Sequence, residues 1–457
     1  MTKESAPMKF RTKPTMMLPL AAVGALALAV SGCSGDTTSS GSSAGSDDCS
    51  AYSSYGKHDG KTVSVYSTIV DVEATNLEES WSQFEKCTGI TIKYEGSKEF
   101  ETQIGVRAKA GTAPDVAIFP QPGLMADQAK AGYLKPAPQA VSDLVDKNWS
   151  ADWKKYGTVD GTFYTAPMLA NVKGYVWYSP KTFKDNGWEI PKTWDDMVSL
   201  TKKIADEGKM KPWCVGFESG EATGWPGTDW VEDAVLRESG PEVYDQWVSH
   251  EIPFNDPKIV SAFDKVGSII LDPKNVNGGF GDVRSILTTG FAQAGQPVLD
   301  GTCAMHHQAN FQASNWPEGT KVAEDGDVWA FMAPPMDESK GQAITGGGEM
   351  VGAYKDTEEV KSFLAYMASA DFANNRVKLG GVISANKGLD ANNAQTALDK
   401  ASIKLLQDPK TVFRFDASDL MPGAVGSNSF WKGIVSWVNG TPTSKVVDQI
   451  ESSWPKK

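Results

Sequence analysis

Two kinds of side chain in this sequence could do chemistry, and the ionisable kind is quickly searched. There is no Gly-x-Ser-x-Gly elbow, no His-Glu-x-x-His pair and no Gly-x-x-x-x-Gly-Lys-Ser/Thr loop. Those are the arrangements that expose a nucleophile, hold a catalytic zinc or cradle a phosphate. Gly346-Gly347-Gly348 lacks the dinucleotide-binding spacing and reads as a turn or hinge. His306 and His307 are adjacent. On a strand they point to opposite faces, which argues against one shared metal; one could face a ligand while the other is structural. With four His, five Cys and no Cys-x-x-Cys pair, no metal and no other cofactor is expected. Asp47-Asp48 and Asp195-Asp196 read as solvated faces rather than acid/base dyads. A glycoside hydrolase needs two carboxylates ~5–9 Å apart across the bond it cuts. No sequence contains that distance, so an exported hydrolase stays open as the enzyme alternative.

The second kind is aromatic side chains set among polar groups in loops. The segment from Phe217 to Trp230 holds Trp225, Trp230, three glycines and three acids in 14 residues. Aromatic faces match the C–H faces of a sugar ring, and carboxylates and amides match its hydroxyl rim. Trp225, held between Gly224 and Pro226, is the better candidate; Trp230 suits a helix start and a core equally.

These residues need a scaffold. Thr62–Ser67 alternates apolar and polar residues as a strand, and Leu77, Trp81 and Phe84 repeat at helical spacing until Gly89. Ile90–Tyr94 reads as a strand, Phe100, Ile104 and Ala108 as a helix, and Asp115–Phe119 as a buried strand. Alternating strands and helices imply a parallel sheet, whose ligands bind beyond the carboxyl ends of its strands. That rim is Ser67–Asp71, Glu95–Glu99 and Phe119–Gln121. Further on, Tyr175–Tyr178, Val328–Met332 and Met350–Tyr354 read as strands. Thr193 and Asp196 form a capping-box-like start to a helix buried through Trp194, Val198 and Ala205. Ile259, Phe263, Val266 and Ile270 mark one amphipathic helix and Phe363, Leu364 and Met367 another, and the last 60 or so residues read as mostly helical.

The N-terminus is an export address. Lys9, Arg11 and Lys13 precede 14 apolar or small residues, Leu18 to Ser31. That is short of the ~20 needed to span a bilayer and suits a signal peptide. The order ends in Val30-Ser31-Gly32-Cys33, which resembles a bacterial lipoprotein signal and implies acylation of Cys33, with residues 1–32 removed. Ser34 to Asp48 is a Ser/Gly/Asp tract with no large apolar residue, so residues 33–59 read as a flexible tether and the folded body as beginning near Gly60. The other four cysteines allow three pairings in an oxidising compartment. Cys49–Cys87 and Cys214–Cys303 are favoured because each would staple neighbouring segments.

Length and charge bound the rest. The 457 residues suit two or three domains, and 40% hydrophobic with 22% charged residues is globular. The net charge is −13, and removing residues 1–32, with four basic and one acidic side chain, leaves −16. Such a surface repels phosphate backbones, so no nucleic acid is expected as a partner.

Several segments together resemble a known family: EKCTGITIKYEGSKEFETQI, GTAPDVAIFPQPG, VWYSPKTFKDNGW, IPKTWDDM, KPWCVGFESGEATGWPGTDWVED, GTCAMHH and FRFDASDLMPGAVGSNSFW. Their joint order is similar to the sugar-binding proteins of ABC importers, the maltose-binding-protein superfamily, and most of all to its α-glucoside-binding branch. The resemblance runs from about Lys61 to the end. It implies a two-lobed, periplasmic-binding-protein-like α/β fold of type II with the ligand cleft between lobes. Residues 60–170 and 345–390 would form one lobe, and residues 175–335 and 395–457 the other.

The resemblance also implies a non-enzymatic, monomeric receptor. It would capture an oligosaccharide such as maltose or a related α-glucoside and deliver it to ABC permease subunits, tethered to the outside of a Gram-positive type membrane. A cell-wall polysaccharide adhesin is the non-enzymatic alternative. Carried over position by position, the ligand residues start with Phe119 after Pro114-Asp115, and Gln121 just beyond. Asn171 follows Pro167 where the family has an acid, a departure that leaves the sugar preference open. Glu218, Glu221 and Trp225 come from the Gly-Trp-Pro segment. His306, Gln308 and Phe311 follow Cys303-Ala304-Met305, with Phe311 where maltose-binding members have Trp. Trp431 ends the Met421-Pro422…Phe430-Trp431 pattern, Asp71 fits an early acidic position, and Glu99 lies on the rim.

Overall fold

The structure is a computed structural model that describes residues 49–277, 281–336 and 343–456. Cys33, the signal segment and the tether up to Asp48 lie outside the described residues. The body begins earlier than Gly60. Cys49 is bonded to Cys87, and the short helix Ser50–Tyr55 buries Tyr52 against Tyr366. Residues 49–59 therefore belong to the fold and not to the tether.

Beyond the hairpin strands Thr158–Val159 and Thr162–Phe163, the strands are β1 Thr62–Ser67, β2 Thr91–Gly96, β3 Val116–Phe119, β4 Thr165–Ala170, β5 Tyr175–Tyr178, β6 Lys211–Cys214, β7 Cys303–His307, β8 Trp329–Met332, β9 Ala343–Gly346, β10 Gly348–Ala353 and β11 Val412–Phe415. A first sheet has the order β2-β1-β3-β10-β4. β1 is parallel to both β2 and β3, and β10 is antiparallel to β3 and β4 with a register shift at Glu349/Met350. The alternation of Val63 and Val65 with polar neighbours fixes which face of β1 is buried. Parallel pairing brings the carboxyl ends of β1, β2 and β3 to one side, the rim on which the sequence places its candidates.

The second sheet has the order β8-β5-β7-β6. It packs into a core that joins Trp213 of β6 to Trp230 and Trp247 of the helix Trp225–Val248, Phe263 of the helix Pro257–Ile270 and Trp437 of the helix Trp431–Val438, with Phe254 and Phe430 from the segments just before the last two helices. The disulfide Cys214–Cys303 joins β6 to β7 with its Cα atoms 5.6 Å apart. On the helix Trp194–Glu207 the capping box at Thr193 and Asp196 is present. Its buried stripe is Trp194, Met197, Leu200 and Ile204. Val198 is exposed, because it falls about 100° away from Met197 around the helix.

Three passages of chain lie side by side between the two sheets. Residues 171–173 join β4 to β5, β9 runs into β10, and β11 pairs in parallel with β9. They are laced by Lys173 N–H to the Thr345 carbonyl, Asn171 N–H to that of Gly347, and Asp416 N–H to that of Gly346. The third passage comes after residue 410 rather than near 390. The helix Ala397–Gln407 before it bonds both ways, Ser402 with Tyr175 and Gln407 with the carbonyl of Asn386. The last stretch is mostly helical, as expected, and contains one short strand, the alternating run Val412–Phe415.

Candidate functional site

The aromatic wall is built around a glycine. Gly224 has φ 113°, and a Cβ there would lie 2.4 Å from the Trp431 carbonyl oxygen, so only glycine fits. This close approach seats Trp225, at the first turn of the helix Trp225–Val248, beside the start of the helix Trp431–Val438. Trp225 is half-buried, and its ring meets Phe291 edge-on at 5.1 Å and Phe311 at 6.2 Å. Phe291 and Phe311 are half-buried too. The Lys173 Nζ stands 5.0 Å from the centre of the Trp225 ring, within cation–π range. Trp431 is 4% exposed; its Nε1 has no partner, and it belongs to none of the three apolar cores.

The structure brings Trp225, Phe311 and Trp431 together and separates them from other candidates. Phe119 has no exposed surface and packs edge-on to Phe100 at 5.6 Å in a core with Tyr66 and Met125. It is a core residue, and the expectation of a sugar platform there is corrected: in a strand buried on both faces, neither side of the pleat reaches the rim. Gln121 is buried and donates to Glu101. Gln308 is buried, with Oε1 accepting from the Ala309 N–H. Asn171 uses its Oδ1 to accept from the Gly347 N–H at 2.7 Å, so it fastens two passages together.

The two histidines do face opposite ways. His306 Nδ1 lies 2.9 Å from the Cys214 carbonyl and therefore carries its proton, and burial pushes its pKa down to about 4. His307 stacks near Trp230 at 4.3 Å, with Nε2 3.6 Å from Asp233. Both are buried, so neither opens onto solvent. Asp71, Glu99, Glu218 and Glu221 are exposed. Asp71, directly beyond β1, adopts φ 56°, a conformation that costs a non-glycine residue about 1 kcal/mol or more and concentrates at functional rims.

Behind the aromatic wall lies an ionic cluster that sequence reasoning missed. Lys173 Nζ reaches Asp229 at 2.8 Å and also contacts Asp416. Among the described residues, carboxylate oxygens of Asp229, Glu232 and Asp416 lie within 4.8 Å of one another. The Lys173 ammonium supplies their counter-charge. Burial pushes all three carboxyls up to about 7. Asp233 behaves oppositely. Burial would raise it, but Arg237 at 2.8 Å and His307 outweigh that and hold it well below the carboxylate range. On the first-sheet rim, burial and then the charge of Glu73 push Glu349 up to about 8. One signal was available: Asp229, Glu232, Asp233 and Arg237 fall at i, i+3, i+4 and i+8, one charged stripe among the apolar residues of the helix's first half. Phe291, Lys173 and Asp416 carried none.

Residues 71–373 match the family described as bacterial extracellular solute-binding protein. The chain is 39% identical over 404 residues to the osmoprotective compounds-binding protein GgtB of Synechocystis sp., covering 88% of this chain and 94% of that one. It is 35% identical over 407 residues to the alpha-glucosides-binding periplasmic protein AglE of Rhizobium meliloti, covering 86% and 87%. Among solved structures, a chitin oligosaccharide binding protein superposes with a TM-score of 0.73 at 19% identity, over 86% of this chain and 98% of that one. At that identity the likeness speaks for the fold, a two-lobed α/β architecture.

Proposed function

The chain belongs to the bacterial extracellular solute-binding protein family, and from that premise we propose that it captures an uncharged oligosaccharide outside the cell and delivers it to the permease of an ABC importer. The observation that carries this reading is the wall of three half-buried rings, Trp225, Phe291 and Phe311, beside Trp431 with its unpaired indole N–H. Rings left half-exposed in a fold that buries most of its other tryptophans offer flat apolar faces to a flat apolar ligand face. The exposed acids Glu218 and Glu221 offer partners to hydroxyls. The acidic balance of the whole chain favours an uncharged sugar over an anionic one. An α-glucoside such as maltose is the class we favour, and the name of the AglE relative supports it.

A melting-temperature screen of neutral disaccharides, maltose among them, beside glucuronic acid tests the reading. Saturation at one hundred times Kd stabilises by ~2.7 kcal/mol. The expected result is a saturable rise with at least one neutral sugar and none with the uronic acid. No rise with any sugar, or turnover of a nitrophenyl glycoside, overturns it.

A further inference from the structure

The carboxylates of Glu232 and Asp416 face each other with too few hydrogens between them. Both residues are fully buried. Glu232 Oε1 accepts from the Ser418 N–H at 3.0 Å, but Oε2 has no partner, and neither has Asp416 Oδ1. Carboxylate oxygens of the two residues lie within 4.8 Å of one another, where two ionised groups would repel in a medium that screens poorly.

The surrounding charges do not relieve this. Lys173, from the first passage, is shared between Asp229 and Asp416. Arg237 and His307 are directed at Asp233. Tyr244 spends its hydroxyl on the Phe415 carbonyl. Asp419, one turn on, adds another acid. One hydrogen between Glu232 and Asp416 satisfies both unpaired oxygens at once.

We propose that Glu232 and Asp416 share one proton at neutral pH, and that this proton fastens the third passage, Val412–Phe415 and the turn after it, to the helix Trp225–Val248. The position gives the proton a mechanical role. Asp416 directly follows β11, and its N–H bonds the Gly346 carbonyl of the second passage. Lys173 on the first passage binds the same carboxylate. The three described passages between the sheets therefore meet at Asp416, one on its N–H, one on its carboxylate and one through its own chain. Burial raises both carboxyls to about 7 from the ordinary carboxylate range. Between those values the folded chain holds more protons than the unfolded one, so the stabilisation is complete in acid and is lost as pH rises through about 7.

Glu232→Gln tests this without removing the hydrogen bond. Its amide keeps the acceptor for Ser418 and places a permanent N–H towards Asp416. Wild-type protein should lose melting temperature as pH rises from about 4.5 to about 7 and level off above that, and the variant should lose less. At about pH 8.5, after correction for intrinsic rates, amide exchange in residues 412–420 should be slower in the variant than in wild type. Wild-type-minus-Glu232→Gln infrared difference spectra at neutral pH should show a carboxylic-acid C=O band, the other acids that burial raises, Asp229 and Glu349, cancelling between the two proteins. Asp416→Asn serves as the second variant for the spectra. Equal pH slopes with no change of the acid band in either variant overturn the proposal. So does a saturable rise in wild-type melting temperature with calcium, absent in Glu232→Gln, together with no acid band, for then a metal ion and not a proton joins the carboxylates.

Discussion

Trp225 is a candidate as an aromatic among polar groups in a loop and Phe119 as a position implied by the family resemblance, and the fold treats them oppositely. Trp225 keeps part of its ring open and touches two other rings at their edges. Trp225→Ala should therefore weaken binding of the best sugar in the screen by about 1–3 kcal/mol, about ten- to hundred-fold in Kd, with little change in melting temperature. Calorimetric titration beside a melt checks it; unchanged affinity would place the sugar elsewhere. Phe119 is wholly enclosed. Phe119→Ala should cost about 3–5 kcal/mol of stability by cavity formation, read from denaturant unfolding, while the folded fraction binds sugar as before. A stable Phe119→Ala that fails to bind would return Phe119 to the site.

At the scale of elements, what matters is how helix starts, strands and passages are held in register. Gly224 lets the starts of two helices touch, so Gly224→Ala should lower stability and sugar affinity together, by about 1–3 kcal/mol from backbone strain alone. Titration and melting of that variant check it, and an undisturbed variant would mean the two helix starts can separate freely. The Cys214–Cys303 disulfide closes a separation of 89 residues between two adjacent strands. Replacing both cysteines by Ala should cost about 4 kcal/mol on the chain-entropy estimate, measured by denaturant unfolding under non-reducing conditions. Both pairings were preferred from the sequence because cysteines in neighbouring segments can reach one another. The capping box at Thr193 was readable for a similar reason, being a local pattern four residues long. Val198 was misassigned because a helical stripe has edges, and one residue of phase decides which side chains fall inside it.

For the whole molecule, the order of a basic start, a short apolar run and Val30-Ser31-Gly32-Cys33 predicts that Cys33→Ala releases the protein from the washed membrane fraction, followed by immunoblot. Retention of the variant in that fraction would reject a lipid anchor. The alternating strands and helices, the capping box and the Gly-Trp-Pro loop are local in sequence, so the sequence by itself determined them; the two disulfides, across 38 and 89 residues, were only preferred there and are fixed by packing. The aromatic wall as a unit was beyond its reach. Phe291, Phe311, Trp225 and Lys173 come from four segments, and only long-range packing decides which half of each ring stays open. The ionic cluster is the extreme case. Lys173, Glu232 and Asp416 are ordinary charged residues until the three passages converge, and it is burial at that convergence, a property of tertiary structure alone, that turns them into groups whose protons are held into the neutral range.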